Sequence, residues 1–354
     1  MRESEPVSAP SPGPPRRVLI ILMGAIGDVV RALPLLGRLR RAYPQARIVW
    51  AVEPKSAPVL RGHRWLDDLI IYDRAHAPWS FLPFLYRVRR EHFDLVIDLQ
   101  RHFKSGLTGW ISRAPRRLGF APANTKECNH WFTTEKIAPQ PNLSLKLAHY
   151  QAFADALGIA PAPTEFGLRA SVEERERIDQ LLAGVPRPLL GLILGSSWPS
   201  RLYFPDSTAQ VARLMHERHG LTPVLIGTSA ERGLAQAVEA ELGDLPRVNL
   251  VGRTGLHELV ALFEVCAAAF GPDCGPMHIA AAVKCPVVSL WGSTSPLRSA
   301  PWGCAELAIS APIPCHPCYL RQCPIQRECM RRISPQQVVA MLERGLVQTA
   351  VPAA

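Results

Sequence analysis

The sequence predicts an α/β protein made of two facing, doubly wound, Rossmann-like domains with an interdomain cleft. Three observations carry that prediction. Strand-length apolar runs alternate with helical patterns along the chain, the arrangement that builds parallel sheets. The alternation breaks once, over a Pro-bearing stretch at 158–188, and restarts at Leu189. The length of 354 residues suffices for two domains of ordinary size.

Residues 1–15 are rich in Pro and Ser and lack an apolar signal-peptide core, so a disordered tail is expected there. The first domain is assigned to 16–170, with strands at 17–23, 47–52, 68–72 and 94–98. A helix from Val29 to Ala42 carries Leu33, Leu35, Leu36 and Leu39 on a buried stripe. Another helix near 145–157 ends at Gly158, a residue suited to the position after a helix. The second domain is assigned to 171–334, with 158–188 holding the connection. It opens with strand Leu189–Leu194, helix 206–219 and strand Pro223–Ile226. Helix 230–242, strand 248–251, helix 255–266 and strand 267–270 follow. A short helix of small residues then leads to strand Pro286–Trp291. In the final segment, 335–354, an amphipathic helix from Pro335 to Val347 is expected to pack back across the domains.

A composition of 47% hydrophobic and 20% charged residues describes a soluble globular protein. No apolar run reaches the roughly 18–20 residues that span a bilayer. The net charge of +10 is uneven: residues 1–170 hold 24 Lys/Arg against 14 Asp/Glu, and the remainder balances. A basic half suits an acidic lipid, a phosphorylated sugar or a nucleic acid, or else consists of solvated Arg-rich faces. No helix-turn-helix, zinc finger or RNA-binding aromatic pattern accompanies the charge, so no nucleic acid is expected. Nine cysteines without a secretion signal read as reduced thiols of a cytoplasmic protein. Four of them, Cys315, Cys318, Cys323 and Cys329, crowd one loop and can surround a structural zinc. Their spacing departs from the common pair of Cys-x2-Cys knuckles, and thiols packed without metal are the other reading.

The candidate chemistry lies where strands end, the edge at which open α/β sheets bind ligands. The first strand runs into Met23-Gly-Ala-Ile-Gly-Asp28. On position alone Asp28 reads as a helix cap. It also suits a general base, with Arg31 nearby either to depress its pKa or to hold an acceptor carboxylate. Leu194-Gly-Ser196-Ser197-Trp-Pro-Ser-Arg201 offers backbone N–H groups and a cation for a leaving diphosphate. Gly271-Pro-Asp273-Cys274-Gly275-Pro276-Met277-His278 opens a helix whose first-turn N–H groups suit phosphate oxygens. An ordinary capped crossover helix is the alternative there, and His278 reads as structural or as a diphosphate neighbour. Glu231, read from its position alone, is a helix-dipole carboxylate. Arg101, His102 and Lys104 follow the strand at 94–98. With Arg113, Arg116 and Arg117 they make either a solvated basic loop or an anionic-acceptor site.

The segment Asp273-Cys-Gly-Pro-Met-His-Ile-Ala-Ala-Ala282, with Pro286-Val-Val-Ser-Leu-Trp-Gly-Ser-Thr-Ser-Pro296, resembles the nucleotide-sugar signature of the ADP-heptose:lipopolysaccharide heptosyltransferases, glycosyltransferase family 9. The strand-Gly-x-x-Gly-Asp turn at Asp28, the Gly-x-x-x-Glu segment at Glu231 and the Asp94–Ser105 segment are similar to that family too. The resemblance implies a GT-B fold and an inverting, metal-independent transfer of heptose from ADP-heptose to a lipopolysaccharide core or related glycolipid. It implies Asp28 as base and Arg31, Arg101 and Lys104 as acceptor ligands. Ser196, Ser197, Arg201, Glu231, Asp273, Cys274, Gly275, Pro276, Met277 and His278 would hold the donor nucleotide. No cofactor is implied. The anionic acceptor places the protein at the cytoplasmic membrane face, peripheral on the inner membrane. Two departures stand out: Cys274 replaces a Ser or Thr, and Arg201 replaces a Lys. They leave two other readings open, a non-catalytic nucleotide-sugar-binding protein and a GT-B enzyme using a different nucleotide sugar.

Overall fold

A computed structural model describes residues 13–350. Most of the expected tail lies outside the described residues, and Pro15 is buried. The first half runs β1 (Arg17–Ile21), α1 (Ile26–Ala42), β2 (Arg47–Val52), α2 (Ala57–Leu60) and β3 (Asp68–Ile71). It continues through α3 (Phe81–Arg90), β4 (Leu95–Asp98), α4 (Phe103–Ile111), β5 (Arg116–Gly119), β6 (Glu135–Lys136) and α5 (Lys146–Ala156). The second half runs α6 (Val172–Leu181), β7 (Leu189–Ile193), α7 (Pro205–His219), β8 (Thr222–Ile226), α8 (Arg232–Leu242) and β9 (Val248–Asn249). After α9 (Leu256–Val265) come β10 (Cys266–Pro272), α10 (Gly275–Ala282), β11 (Val287–Trp291) and α11 (Pro296–Ser299). The chain closes with β12 (Ala308–Ser310), α12 (Glu328–Arg331) and α13 (Pro335–Ala350).

Each half forms a parallel six-stranded sheet, in the orders β3-β2-β1-β4-β5-β6 and β12-β11-β10-β7-β8-β9. Counted from its own first strand, each sheet has the order 3-2-1-4-5-6 of the doubly wound fold. The strand order reverses between β1 and β4 in one sheet and between β7 and β10 in the other, and each switch point opens a crevice at the carboxyl ends. The strands are apolar because both faces are covered. Val18 and Ile20 of β1 pack in a core with α1 and α5, while Leu19 and Ile21 pack with α3.

The halves meet through α1 and α10. Glycines permit that approach: a Cβ on Gly27 would lie 2.5 Å from Cδ2 of His278, and one on Gly275 would lie 2.8 Å from Cβ of Ile26. The buried Arg38 guanidinium ties α1 to α5, donating to Gln151 Oε1 at 2.9 Å and Asp155 Oδ1 at 2.7 Å.

Several expectations need correction. The connection over 158–188 is not all linker: it contains α6, started by a capping box in which Ser171 and Glu174 bond each other's backbone N–H. The basic stretch after β4 is only partly loop: Arg101 and His102 precede α4, which begins at Phe103 and carries Lys104, and Arg116 and Arg117 lie on β5. Helix α1 starts at Ile26 with Ala25 as its cap position, so Asp28 sits inside the first turn and does not cap it. Helix α13 extends to Ala350 and packs on α7, β10 and β11 of the second sheet.

Candidate active site

The two crevices converge on one cavity of ≈ 350 Å³. From the first half it receives Asp28 and Arg31, on α1, and Lys146, at the start of α5. From the second half it receives Ser197 and Arg201 after β7, Asp273, Cys274, Gly275 and His278 around the start of α10, and Arg298 on α11.

Asp28 is held by two cations on a single oxygen. Arg31 Nη2 lies 2.5 Å from Oδ1 and Lys146 Nζ lies 2.7 Å from the same atom. Burial alone would raise the Asp28 carboxyl, but the charges of Lys146 and Arg31 outweigh it and hold the group far below the usual carboxylate range. Arg31 Nη1 also donates to Nε2 of His278 at 2.7 Å. Arginine is a donor only, so Nε2 accepts and the imidazole proton sits on Nδ1. Burial first, and then Arg31, push His278 well below its ordinary value, so the ring is neutral. On the opposite wall Arg201 Nη1 lies 3.1 Å from Asp273 Oδ2, which also accepts from Thr294 Oγ1 at 2.8 Å. The Arg201 guanidinium stacks 4.0 Å over the Trp198 ring.

The helix end is open. Cys274 is the cap residue of α10 and makes no side-chain cap bond. Burial pushes its thiol up to about 12, so it stays neutral. The first-turn N–H groups therefore lack the usual hydroxyl acceptor. Four buried nitrogens of the lining residues also lack partners: Nε of Arg31, Arg201 and Arg298, and Nδ1 of His278. All four are donors. Unpaired buried donors are costly.

A second cavity of ≈ 130 Å³ shares Asp28, Lys146 and Arg298 with the first. It extends over Arg101, His102, His149 and Tyr150. The reacting carboxylate candidate thus stands on the boundary between two adjoining spaces.

A family model described as glycosyltransferase family 9 (heptosyltransferase) matches residues 82–328, more than half of the chain. The chain belongs to glycosyltransferase family 9. Among its relatives is lipopolysaccharide heptosyltransferase 1 of Pseudomonas aeruginosa, 28% identical, with 94% of this chain and 98% of that protein covered. The lipopolysaccharide core heptosyltransferase OpsX of Haemophilus influenzae is 26% identical over 298 residues, 84% of each chain. Among solved structures, the ADP-heptose lipopolysaccharide heptosyltransferase II of E. coli superposes with a TM-score of 0.75 at 22% identity, covering 95% of this chain and all of that one. The two-domain fold is that of the GT-B heptosyltransferases, and this family 9 member is a glycosyltransferase.

Not every predicted residue reaches the cavities. Ser196 supports the wall from behind, its Oγ donating to the Asp273 carbonyl at 2.8 Å. Met277 is only 1% exposed and belongs to the core, because the inner face of α10 packs on the sheet. Pro276 shapes the first turn without lining either cavity. The Glu231 carboxylate accepts from Thr228 N at 2.7 Å and Thr228 Oγ1 at 2.6 Å, capping its own turn beside Gly195. Arg31 lines the first cavity and not the second. Lys104 turns away onto the Tyr72 hydroxyl at 2.9 Å. Arg116 is paired with Glu135, and Arg117 donates to the Phe132 and Ala114 carbonyls.

The cysteine loop brings Cys315, Cys318, Cys323 and Cys329 near one another without drawing them into a ligand set. Among the described residues no group of three or more His, Cys, Asp or Glu side chains is placed to hold a metal ion. Cys315 is exposed, Cys318 is half-buried, Cys323 accepts the Arg327 N–H at 3.2 Å, and Cys329 is buried close to Gly292.

Lys146 and Arg298 were missed by sequence reasoning. Lys146 stood at the start of an expected helix with nothing local to mark it, and it meets Asp28 across 118 positions.

Proposed function

We propose that this glycosyltransferase moves a heptose from ADP-heptose to a lipopolysaccharide core or related glycolipid, with inversion and without a metal ion. The carrying observation is one cavity lined by Arg31, Lys146, Arg201 and Arg298, with Asp28 held by Arg31 and Lys146, Asp273 held by Arg201, and unpartnered donors in the same wall. In this reading the acceptor hydroxyl gives its proton to Asp28 Oδ2 as its oxygen bonds to the anomeric carbon. The bond from that carbon to the diphosphate oxygen breaks, and ADP leaves with the electron pair. Arginines and the open end of α10 then receive the charge on the departing diphosphate. The cavity's carboxylates, Asp28 and Asp273, are each already paired with a cation, which favours cationic side chains over a metal in that task. The adjoining cavity, with Arg101 and His149, suits an anionic acceptor, making the first domain (16–170) the acceptor side and the second (171–334) the donor side. Retention of Asp28 weighs against a purely binding protein.

Thermal melting with ADP, UDP, GDP and NAD, with and without EDTA, tests the reading. ADP is expected to raise Tm by mass action, by the equivalent of about 2.7 kcal/mol at a hundredfold excess over Kd, and EDTA to leave the shift unchanged. A shift with UDP or GDP alone would replace the donor, and silence with all nucleotides would overturn the site.

Peripheral attachment to an anionic membrane is part of the same proposal. No helix among the described residues is long and apolar enough to cross a membrane. Trp79, Leu82, Tyr86, Trp110 and Trp131 are exposed on neighbouring elements, the turn before α3, α3 itself, α4 and the turn at 129–132. Arg74, Arg87, Arg90 and Lys126 are exposed in the same region. Aromatic rings and arginines together suit a headgroup layer. Sedimentation with phosphatidylglycerol-containing vesicles should be salt-sensitive and weakened by Trp79→Ser with Tyr86→Ser. Equal binding to neutral vesicles would count against it.

A further inference from the structure

The proposed base is held in a state that suppresses its basicity, and the two cations responsible are not equivalent. Arg31 is fixed: beyond Asp28 its guanidinium donates to His278 Nε2 at 2.7 Å and to the Ser299 carbonyl at 3.3 Å. Lys146 has one partner, Asp28 Oδ1 at 2.7 Å. It stands at the first position of α5 and lines both cavities. A lysine is a compact charge on a flexible four-carbon stem, whereas the arginine fork is rigid. Lys146 is therefore the cation free to change partners.

We propose that Lys146 is a donor-responsive lock on Asp28, shared between the carboxylate in the empty enzyme and the donor's diphosphate in the loaded one. The inference rests on the transferase reading above. When the diphosphate enters the first cavity it competes with Asp28 Oδ1 for the ammonium. The carboxylate keeps Arg31 but loses the second cation, and its affinity for the acceptor proton rises. No bond to carbon is made or broken in this exchange; one hydrogen bond moves from a carboxylate oxygen to a phosphate oxygen. The base is thereby armed only after the donor is seated. The groups facing the pair are Arg31, His278, Arg298, Arg101, His149 and Tyr150. Tyr150, buried and pushed far up, remains neutral throughout. Asp28 is the carboxylate that pairs with Lys146.

The test is ADP binding by calorimetry to the full-length wild type, Lys146→Met, Asp28→Asn and the double variant, with Tm recorded for each. Lys146→Met is expected to weaken ADP about tenfold or more, the scale of one charge-assisted hydrogen bond. Asp28→Asn, which releases the ammonium, is expected to tighten ADP several-fold. That tightening should shrink in the Lys146→Met background, because no ammonium remains to be released. Lys146→Arg should recover part of the affinity. A merely structural lysine predicts unchanged ADP affinity in Lys146→Met and the same Asp28→Asn effect in both backgrounds, and either result overturns the lock. If wild-type protein binds no nucleoside diphosphate, the functional reading fails first; if it binds ADP as well as Lys146→Met does, the lock alone fails. Should Lys146→Met not fold, the wild-type and Asp28→Asn pair still decides, since weaker ADP binding in Asp28→Asn contradicts competition for the ammonium.

Discussion

Asp28→Asn is expected to lower kcat for sugar transfer by about 10³-fold while the protein keeps its fold and binds ADP at least as tightly as the wild type. Removing a positioned general base costs roughly 10²–10⁴ in rate. The substitution preserves shape and removes the proton-accepting charge. It also removes the anion that compensates Arg31 and Lys146, whose nitrogens lie 2.5 and 2.7 Å from Oδ1. An amide oxygen still accepts from one of them, so collapse of the site is not expected. Steady-state transfer from ADP-heptose to an acceptor glycolipid, beside calorimetric ADP binding, separates the outcomes. Turnover at the wild-type rate would remove Asp28 from the chemistry, and loss of ADP binding would make it a scaffold for the cavity.

Gly27→Ala is expected to reduce kcat by about 10²-fold and to lower Tm. Helix propensity argues the opposite: Gly to Ala inside a helix ordinarily gains about 0.5–1 kcal/mol. The packing reverses the sign. A methyl at this position lies 2.5 Å from Cδ2 and 3.1 Å from Nε2 of His278, on the facing helix. Overpacking of this kind costs about 1–3 kcal/mol, more than the propensity gain. The ring that must yield accepts from Arg31, and Arg31 holds Asp28. The displacement therefore passes into the reacting group, where an error of about 1 Å can cost 10²-fold. Gly275→Ala meets Ile26 at the same seam and should act in the same direction. A more stable, fully active Gly27→Ala would show that α1 and α10 do not need this separation.

The parts of this molecule that were legible in the sequence share a local cause. β1, β7 and β11 are dominated by buried apolar residues, broken only by Arg17 at the start of β1, Gly191 and Ser289, because both sheet faces are buried and no alternation is needed. The strand-end turns at Asp28 and at 273–278 were legible because their Gly, Pro and Asp residues sit next to one another in the chain. Helix α6 had a local signal, Ser171 with Glu174 three positions on, and that signal was outweighed by the prolines around it. Helix α3 was harder, since Leu82 and Tyr86 are apolar on its solvent side and blur the buried stripe of Phe84, Leu85 and Val88. The electrostatics of the site were not legible at all. Arg31 meets His278 across 247 positions and Lys146 meets Asp28 across 118, and no local spacing encodes either meeting. The same distance effect misdirected the basic residues after β4: charge marked Arg101 and Lys104 alike, but only Arg101 faces a cavity.

The repeated 3-2-1-4-5-6 strand order means that the ligand-facing segments of both halves leave the carboxyl edges of the sheets, as short excursions from otherwise finished scaffolds. Recognition and load-bearing architecture are therefore separable units of inheritance. The cavity-lining stretches after β7 and β11 can be rewritten by an engineer while the strands beneath them stay unchanged. The α1–α10 seam is the exception, because there one pair of glycines serves architecture and recognition together. Variation in such a lineage should accumulate at the rims and stall at the seam.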